Sequence, residues 1–427
     1  MEIADHDADS PAGATRTDAQ PNAARPDEPT LLREPADGTP PVVAEVAALE
    51  KACAALAAGT GAIAVDTERA SGYRYWPKAY LVQLRREGAG TVLVDPIPLE
   101  GELAPLAEVL NGTEWVLHAA SQDLPCLTEL GLRPPSVFDT ELAGRLAGYD
   151  RVALGTLVER LLGYQLEKGH SAADWSKRPL PVDWLNYAAL DVELLLPLRE
   201  SLEAELHAQG KLEWARQEFE AVRTAPPPPP RAEPWRRTSG IHKIRQPRGL
   251  AAVRELWQAR DEMARKRDRA PSRVLPDSAI VSAVLADPTT NAELQALPVF
   301  GGRIQRRYAG MWLRHLQTAR GLPKDELPSA AQPSDGPPPA NRWADKDPDA
   351  AARLSAARAG LAAVAEQHGL PVENLLLPDL LRRTCWRPPE DRGAHGVAEA
   401  LRAGGARPWQ VDLTTAGISA ALHETAE

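Results

Sequence analysis

The chain has 427 residues, of which 43% are hydrophobic and 25% are charged, and its formal net charge is −10 at pH 7. This length exceeds what one typical hydrophobic core covers, so we expect two or three domains of an ordinary globular protein. The acidic balance argues against a uniform affinity for polyanions, and no apolar run approaches the roughly 20 residues that span a membrane.

The charge is distributed unevenly along the chain. Residues 1–40 hold nine acidic residues against three arginines, whereas residues 231–273 hold thirteen Lys/Arg against five acidic residues. Residues 301–320 add five arginines and no acid. A basic face separated from an acidic site suits an enzyme that acts on nucleic acid, although ordinary solvated helix faces explain each cluster equally well.

The cysteine spacing and the N-terminal sequence indicate the cellular compartment of the protein. Cys53, Cys126 and Cys385 are far apart and lack the spacing of a metal site, which suits a reducing environment. The N-terminus has no basic-then-apolar signal pattern. We therefore expect a cytoplasmic protein with no membrane partner.

The first 222 residues predict a disordered arm and then an α/β domain. Residues 1–40 are rich in Ala, Pro and Asp, which is typical of disorder. In the domain at 41–222, spacing predicts a helix at 43–56, strands at 63–68, 79–84 and 90–95, a helix at 103–111, a strand at 115–118, and helices after 122 and at 139–147, 154–162 and 181–208. Strands followed mostly by helices favour an α/β layer over an all-helical bundle.

The remainder predicts two all-α domains joined by linkers. Residues 223–247 contain a five-proline run and predict an extended tether. Residues 248–323 have helical spacing, 324–348 predict a second linker, and 349–427 again predict short helices. The last segment is compatible with a distant copy of the preceding helical domain.

Two carboxylates lie on the first predicted strand. Asp66 and Glu68 are two residues apart, so their side chains point to the same face, and the apolar residues before them predict a central strand. Buried carboxylates repel each other unless a cation lies between them. The alternative is a strand end that emerges into solvent.

Two further aspartates follow later elements. Asp123 lies where a helix begins, so it is either a functional carboxylate or a helix N-cap. Asp139 resembles such a cap, and we interpret it as structural or as a support for neighbouring groups.

A tyrosine and an aspartate share one helix face further along the chain. Tyr187 and Asp191 are four residues apart among apolar neighbours, so both would meet the same site. A phenol beside a metal-bound water orients that water or takes part in moving its proton. An ordinary amphipathic helix is the alternative.

The segment before that helix supplies cations and an aromatic ring. Lys168 and Arg178 are candidates for phosphate contacts. Trp175 would either stack on a base or pin its loop to the core, and we favour the core.

Together these segments resemble ribonuclease D, a family in the DEDDy branch of 3′–5′ exonucleases. The three motifs are Val-Asp-Thr-Glu at 65–68 with Tyr-Leu-Val-Gln-Leu at 80–84, His-Ala-Ala-Ser-Gln-Asp-Leu at 118–124, and Tyr-Ala-Ala-Leu-Asp-Val at 187–192. Residues 250–322, with their Arg-Asp-Arg-Ala-Pro-Ser-Arg-Val-Leu-Pro core, resemble an HRDC domain. Two features depart from the family pattern: Arg69 replaces a common aromatic residue, and the acidic arm is additional.

The resemblance implies a ribonuclease H-like fold and hydrolysis of RNA from its 3′ end to nucleoside 5′-monophosphates. Asp66 would bridge two Mg²⁺ or Mn²⁺ ions, Glu68, Asp123 and Asp191 would complete their shells, and Tyr187 would align the attacking water. The expected RNA has a single-stranded 3′ end, as in transfer-RNA precursors, and the protein is expected to be a monomer. The candidate substrate-binding residues are Gln122, Lys168, Trp175 and Arg178 near the site and Arg254, Arg260, Arg265, Lys266 and Arg267 in the helical domain. A 3′–5′ DNA exonuclease and a non-catalytic RNA-binding module are the alternatives.

Overall fold

The computed structural model describes residues 29–167, 169–170, 172–330 and 336–425. They form an α/β domain followed by two helical domains, which confirms the predicted fold class. The strands are β1 (Thr30–Leu32), β2 (Val42–Val43), β3 (Thr60–Arg69), β4 (Ala79–Glu87), β5 (Gly90–Val94), β6 (Trp115–Leu117), β7 (Val137–Asp139) and β8 (Tyr164–Leu166). The helices of the α/β domain are α1 (Val46–Ala58), α2 (Ala104–Leu110), α3 (Leu124–Glu129), α4 (Thr140–Ala147), α5 (Leu154–Leu162), α6 (Val182–Glu193), α7 (Leu195–Ala208) and α8 (Leu212–Arg223).

The main sheet places β3 in its interior. Its strand order is β2-β5-β4-β3-β6-β7. Strands β3, β4 and β5 are antiparallel neighbours, whereas β6 pairs with β3, and β7 with β6, in parallel. Ile63, Ala64 and Val65 of β3 are fully buried, which confirms the predicted central strand. One face of the sheet packs on α1, α2 and α3, and the other on α4 to α8.

The helix predicted at 181–208 is two helices. α6 ends at Glu193 and α7 begins at Leu195. In a continuous helix the backbone nitrogen of residue 197 would donate a hydrogen bond to the carbonyl of Glu193, but Pro197 has no N–H. In the first turn of α7 this N–H is not required.

The prediction that residues 1–40 are disordered is wrong for residues 29–40, which have a defined structure. Residues 1–28 lie outside the described part of the chain. β1 pairs in parallel with β8. The backbone N–H of Ala36 donates to Glu193 Oε1 at 3.2 Å, and the Thr39 hydroxyl donates to Asn186 Oδ1 at 2.9 Å. This segment is therefore anchored to α6, and its low apolar content gave no sign of that.

The second domain is a helical unit whose core reaches into the predicted linker. Its helices are α9 (Pro247–Lys266), α10 (Pro271–Val274), α11 (Asp277–Ala286), α12 (Asn291–Ala296) and α13 (Arg303–Gly321). Trp235 is buried in this core and lies in the first of two short 3₁₀ segments, Pro234–Arg237 and Ile241–Lys243. The tether predicted at 223–247 is thus confined to about residues 225–233, because the tryptophan fixes the rest.

The third domain also begins inside a predicted linker. Its helices are α14 (Trp343–Lys346), α15 (Pro348–His368), α16 (Val372–Leu375), α17 (Pro378–Trp386), α18 (Ala394–Ala403) and α19 (Pro408–Ala421). Trp343 is fully buried, so the linker predicted at 324–348 ends before it. In both helical domains a helix of about 20 residues precedes a four-residue helix that starts near a proline. This shared order supports a duplicated module, although an HRDC identity for the third domain stays a prediction.

The third domain packs directly on the α/β domain. The Trp409 indole donates to Glu218 Oε1 at 3.0 Å, Arg407 pairs with Glu218 at 2.8 Å, and Trp409 stacks on Trp214 with ring centroids 5.0 Å apart. Across the described ranges, no helix has the length and apolar content required to cross a membrane.

Candidate active site

Three carboxylates from two elements converge above the central strand. Asp66 and Glu68 lie on β3, and Asp191 lies on α6. Each offers an oxygen that lies within 4.8 Å of the other two. Helix α6 lies close to the sheet because Ala188 and Ala189, both fully buried, form the surface that packs there. The structure thus brings together three of the four carboxylates that the sequence singled out.

Asp123 lies beside this group and is held by β3. Its Oδ1 accepts a hydrogen bond of 2.6 Å from the Thr67 hydroxyl and lies 3.6 Å from the Arg69 guanidinium. Asp123 occupies the N-cap position of α3, but its side chain accepts no hydrogen bond from the first turn, so capping is not the role of its carboxylate. After burial, the negative charge of Asp123 is the largest cause of the raised pKa of Asp66. The fourth carboxylate therefore belongs to the same electrostatic cluster.

Asp139 fixes the turn that carries Asp123. It is the N-cap of α4 and accepts from the backbone N–H groups of Glu141 and Leu142. Its two oxygens also accept from the N–H groups of Ala119 and Ala120 at 3.1 and 2.8 Å. The supporting role expected for Asp139 is confirmed, since one buried carboxylate ties two segments together.

The cluster carries more negative charge than its surroundings neutralise. Burial, followed by the charges of Asp123 and Asp191, raises the pKa of Asp66 well above its ordinary value. Burial also raises the pKa of Glu68 to about 10 and that of Asp191 to about 7. Full ionisation at neutral pH therefore requires added positive charge. Grouped carboxylate oxygens are the hard ligands that Mg²⁺ and Mn²⁺ prefer, so the donor set fits these ions.

Tyr187 faces the cluster from α6. Its phenol is hydrogen bonded to the carboxylate of Asp191, one helical turn later. Burial, then the charges of Asp191 and Glu68, raises the pKa of Tyr187 above its ordinary value. The phenol therefore stays protonated at neutral pH, which favours orienting a water over removing its proton.

Arg69 supplies a positive charge inside the site. Its guanidinium donates to the backbone carbonyl of Gln122 and lies 3.5 Å from the Gln122 side-chain oxygen, as well as near Asp123. Because it bridges the end of β3 and the 118–124 turn, this residue also helps to hold Asp123. The common family aromatic could not make these contacts.

Three residues that were predicted to contact the substrate make structural contacts within the fold. Trp175 is fully buried beside Trp184, so it packs in the core and cannot stack on a base. Arg178 donates to Asp95 and to the backbone carbonyl of Tyr80, each at 2.8 Å. Arg260 is buried, donates to the carbonyl of Leu275 and pairs with Asp277. The core position favoured for Trp175 is confirmed, and a phosphate contact by the buried Arg260 is a wrong prediction. Arg178 keeps 32% of its side chain exposed, so its phosphate contact stays a prediction.

The other predicted contacts remain available or untested. Arg265, Lys266 and Arg267 are exposed at the end of α9, and Arg267 also donates to the Tyr308 hydroxyl at 2.7 Å. Arg254 is half-buried and lies 3.8 Å from Glu255. Gln122 is exposed beside the cluster. Lys168 lies outside the described residues.

Sequence reasoning missed two buried residues of the site. Thr67 is the partner of Asp123, and Gln83 of β4 lies directly opposite Asp66 in the strand register. Gln83 is fully buried, and within the described residues neither its amide nitrogen nor its amide oxygen has a hydrogen-bond partner. The available signal was a glutamine inside an apolar strand, where a polar side chain is costly unless it is satisfied.

Family models match all three domains. A model described as 3′–5′ exonuclease matches residues 41–207, and an HRDC domain model matches residues 249–316. A model described as a 3′ to 5′ exonuclease C-terminal domain matches residues 336–422.

Named relatives and solved structures extend this similarity over most of the chain. The chain is 32% identical to ribonuclease D of Nitrobacter hamburgensis over 304 residues, which cover 68% of this chain and 77% of that protein. A crystal structure of a protein from Bifidobacterium adolescentis matches with a TM-score of 0.85 and 38% identity, over 92% of this chain and all of that one. Escherichia coli RNase D matches with a TM-score of 0.66 and 26% identity, over 91% and 99% of the two chains. With its carboxylate cluster and its three matched domains, the chain belongs to the ribonuclease D family of 3′–5′ exoribonucleases.

Proposed function

We propose that this exoribonuclease uses two divalent metal ions, Mg²⁺ or Mn²⁺, to release nucleoside 5′-monophosphates from the 3′ end of RNA. The observation that carries the proposal is the convergence of Asp66, Glu68 and Asp191, whose oxygens lie within 4.8 Å of one another. Their raised pKa values mark a site that is complete only with a cation.

Asp66, Glu68, Asp123 and Asp191 would hold the ions. Bound there, the ions would lower the pKa of the attacking water and stabilise charge on the leaving oxygen. The neutral phenol of Tyr187 would orient that water, because its hydroxyl already lies against Asp191. Thr67 and Arg69 would keep Asp123 in place from the side of β3.

The proposed substrate is an RNA with a single-stranded 3′ end, such as a transfer-RNA precursor. Arg265, Lys266 and Arg267 of the HRDC domain are exposed and would contact its phosphates. Escherichia coli RNase D is described as an exoribonuclease involved in structured RNA processing. We place the enzyme in the cytoplasm and expect it to act as a monomer.

The test is cleavage of a 5′-labelled RNA by the purified full chain, with Mg²⁺, with Mn²⁺ or with a chelator. We expect a ladder that shortens by one nucleotide from the 3′ end only when metal is present, and nucleoside 5′-monophosphates as products. The matched control is Asp66→Asn, which should give no ladder. Internal cleavage, shortening from the 5′ end or metal-independent activity would contradict the proposal. A DNA strand of the same sequence, degraded as fast as the RNA, would contradict the RNA preference.

A further inference from the structure

The hairpin loop between β3 and β4 lies where the catalytic strand leaves the site. It covers residues 70–78 and begins two residues after Glu68. Three aromatic residues lie close together in it: Tyr73, Tyr75 and Trp76. Two of the three have a structural role.

Tyr73 and Tyr75 join the two domains. Tyr73 packs with the residues beneath α6, and the Arg273 guanidinium lies 3.9 Å from the centre of its ring. Tyr75 packs against the core of the HRDC domain, and its hydroxyl donates to Asp261 at 3.1 Å. The two tyrosines thus face opposite cores.

Asp268 of the HRDC domain holds the backbone between these anchors. Its Oδ1 accepts from the N–H groups of Tyr75 and Trp76 at 3.1 and 3.2 Å, and it pairs with Arg74 at 3.7 Å. The N–H of Ala270 donates to the carbonyl of Tyr73 at 2.9 Å. The HRDC domain therefore holds the backbone from Tyr73 to Trp76.

Trp76 itself points outward on this fixed backbone. The residue is 45% exposed, and its ring meets the edge of Tyr75 at a centroid distance of 5.0 Å and an interplanar angle of 81°. A large exposed aromatic on an ordered backbone loses little conformational freedom on contact with a ligand, which favours binding.

Exposed cations lie on the two segments that flank this ring. Asp268, which holds Trp76, lies within an Arg-Lys-Arg-Asp-Arg run at 265–269, and Arg265, Lys266 and Arg269 of that run are exposed. Lys78 is exposed at the other end of the loop. An exposed ring on a loop that follows the strand of Asp66 and Glu68, together with exposed cations on the segment that holds this loop, fits the surfaces that bind single-stranded nucleic acid.

We propose that Trp76 stacks on a base of the single-stranded RNA that leads into the carboxylate site, while Arg265 and Lys266 contact its phosphates. This inference rests on the proposed function, because it assigns one element of the substrate path. It also gives the HRDC domain a specific task, which is to hold the loop that presents the ring.

The experiment measures RNA affinity without cleavage. All proteins carry Asp191→Asn, and each is titrated into a fluorescein-labelled single-stranded RNA while anisotropy is recorded. Base stacking on an aromatic side chain is worth about 1–3 kcal/mol per base, so Trp76→Ala should weaken binding about 5- to 150-fold, whereas Trp76→Phe should stay within about threefold of the parent. Leu285→Ala, which changes a residue that is 59% exposed on α11, serves as the matched control and should bind like the parent. Thermal melting checks that each variant is folded.

A second set of RNAs locates the stacked base. In each RNA one nucleotide, counted from the 3′ end, is made abasic. At one position the loss of the base should remove the difference in RNA affinity between the parent and Trp76→Ala. Parent-like binding of Trp76→Ala would overturn the inference, as would equal losses for Trp76→Ala and Trp76→Phe. If the unsubstituted chain cleaves RNA from the 3′ end while Trp76→Ala binds normally, only this inference fails. If that chain does not cleave RNA but Trp76→Ala still loses affinity, the proposed function fails and the stacking site stands.

Discussion

The hydroxyl of Thr67 donates a 2.6 Å hydrogen bond to Oδ1 of Asp123, a residue 56 positions later in the chain. Both side chains are buried, so the bond is shielded from water. It fixes Asp123 towards β3 instead of towards the N-terminus of α3. A residue between the two carboxylates of β3 thus orients a third.

Thr67 can be tested with two nearly isosteric changes. Thr67→Val keeps the shape but removes the donor, whereas Thr67→Ser keeps the hydroxyl. We expect Thr67→Val to lower kcat about 10- to 100-fold, since partners of metal-binding carboxylates have effects of this size. Thr67→Ser should stay within a few-fold of the unsubstituted enzyme. Equal activities of the two variants in single-turnover assays would show that the hydrogen bond has no role.

The carboxylates should be needed for cleavage but not for RNA binding. Asp66→Asn and Asp191→Asn each remove a charged ligand while keeping the size of the side chain. We expect each to lower the cleavage rate at least about 100-fold, because the metal ions supply several kcal/mol of charge stabilisation. RNA affinity, measured by filter binding, should change less than about threefold. Turnover like that of the unsubstituted enzyme in either variant would rule out the metal assignment.

The pH dependence of stability should depend on the metal. Burial raises the pKa of Asp191 from 3.8 to about 7 in the metal-free fold, so the folded state retains a proton that the unfolded chain releases. The stability from this group is full below about pH 4 and is lost as the pH rises through about 7. Without metal, the Tm of Asp191→Asn minus that of the unsubstituted chain should therefore increase between about pH 4 and pH 8.

Divalent cations should offset the loss of stability that the unsubstituted chain shows as the pH rises. Excess Mn²⁺ at about pH 8 should raise its Tm, since an ion that binds only the folded state stabilises it. Asp191→Asn should gain less. Parallel Tm curves for the two proteins, with and without Mn²⁺, would argue against a coupled carboxylate site.

Tyr187→Phe tests the role of the phenol. The change removes the hydroxyl that bonds to Asp191 and keeps the ring. We expect kcat to fall about 100-fold, because a water that is no longer oriented is misplaced for attack, and a displacement of about 1 Å costs about this much. Because the raised pKa of Tyr187 keeps its phenol protonated, the pH–rate profile of the unsubstituted enzyme should show no phenol ionisation below about pH 10. A break in the profile at lower pH that is absent in Tyr187→Phe would show that the phenol acts as a base.

The sequence predicted the parts of the fold that local pattern determines. The apolar residues before Asp66 identified a central strand, and the alternation of side chains correctly placed Glu68 on the same face. Likewise, the four-residue spacing of Tyr187 and Asp191 placed both on one face of α6. Family motifs then connected these segments before any contact between them was known.

Partners distant in sequence could not be predicted in this way. Arg178 and Arg260 look like phosphate contacts in a basic segment, but each is paired with an aspartate, Asp95 or Asp277, that no local pattern identifies. Strand β1 was missed because it depends on pairing with β8, more than 130 residues away in sequence, and has no apolar pattern of its own. Trp76 is exposed and Trp175 is buried, and this difference is seen only in the folded chain.

The most direct test of the metal site is anomalous diffraction from crystals of the full chain soaked in Mn²⁺. We predict two anomalous peaks that share Asp66 as a ligand, with Glu68, Asp123 and Asp191 completing the coordination. The same soak of Asp66→Asn should lose at least one peak. Crystals of the unsubstituted chain in which Mn²⁺ binds elsewhere, or leaves these four carboxylates without a peak, would contradict the account.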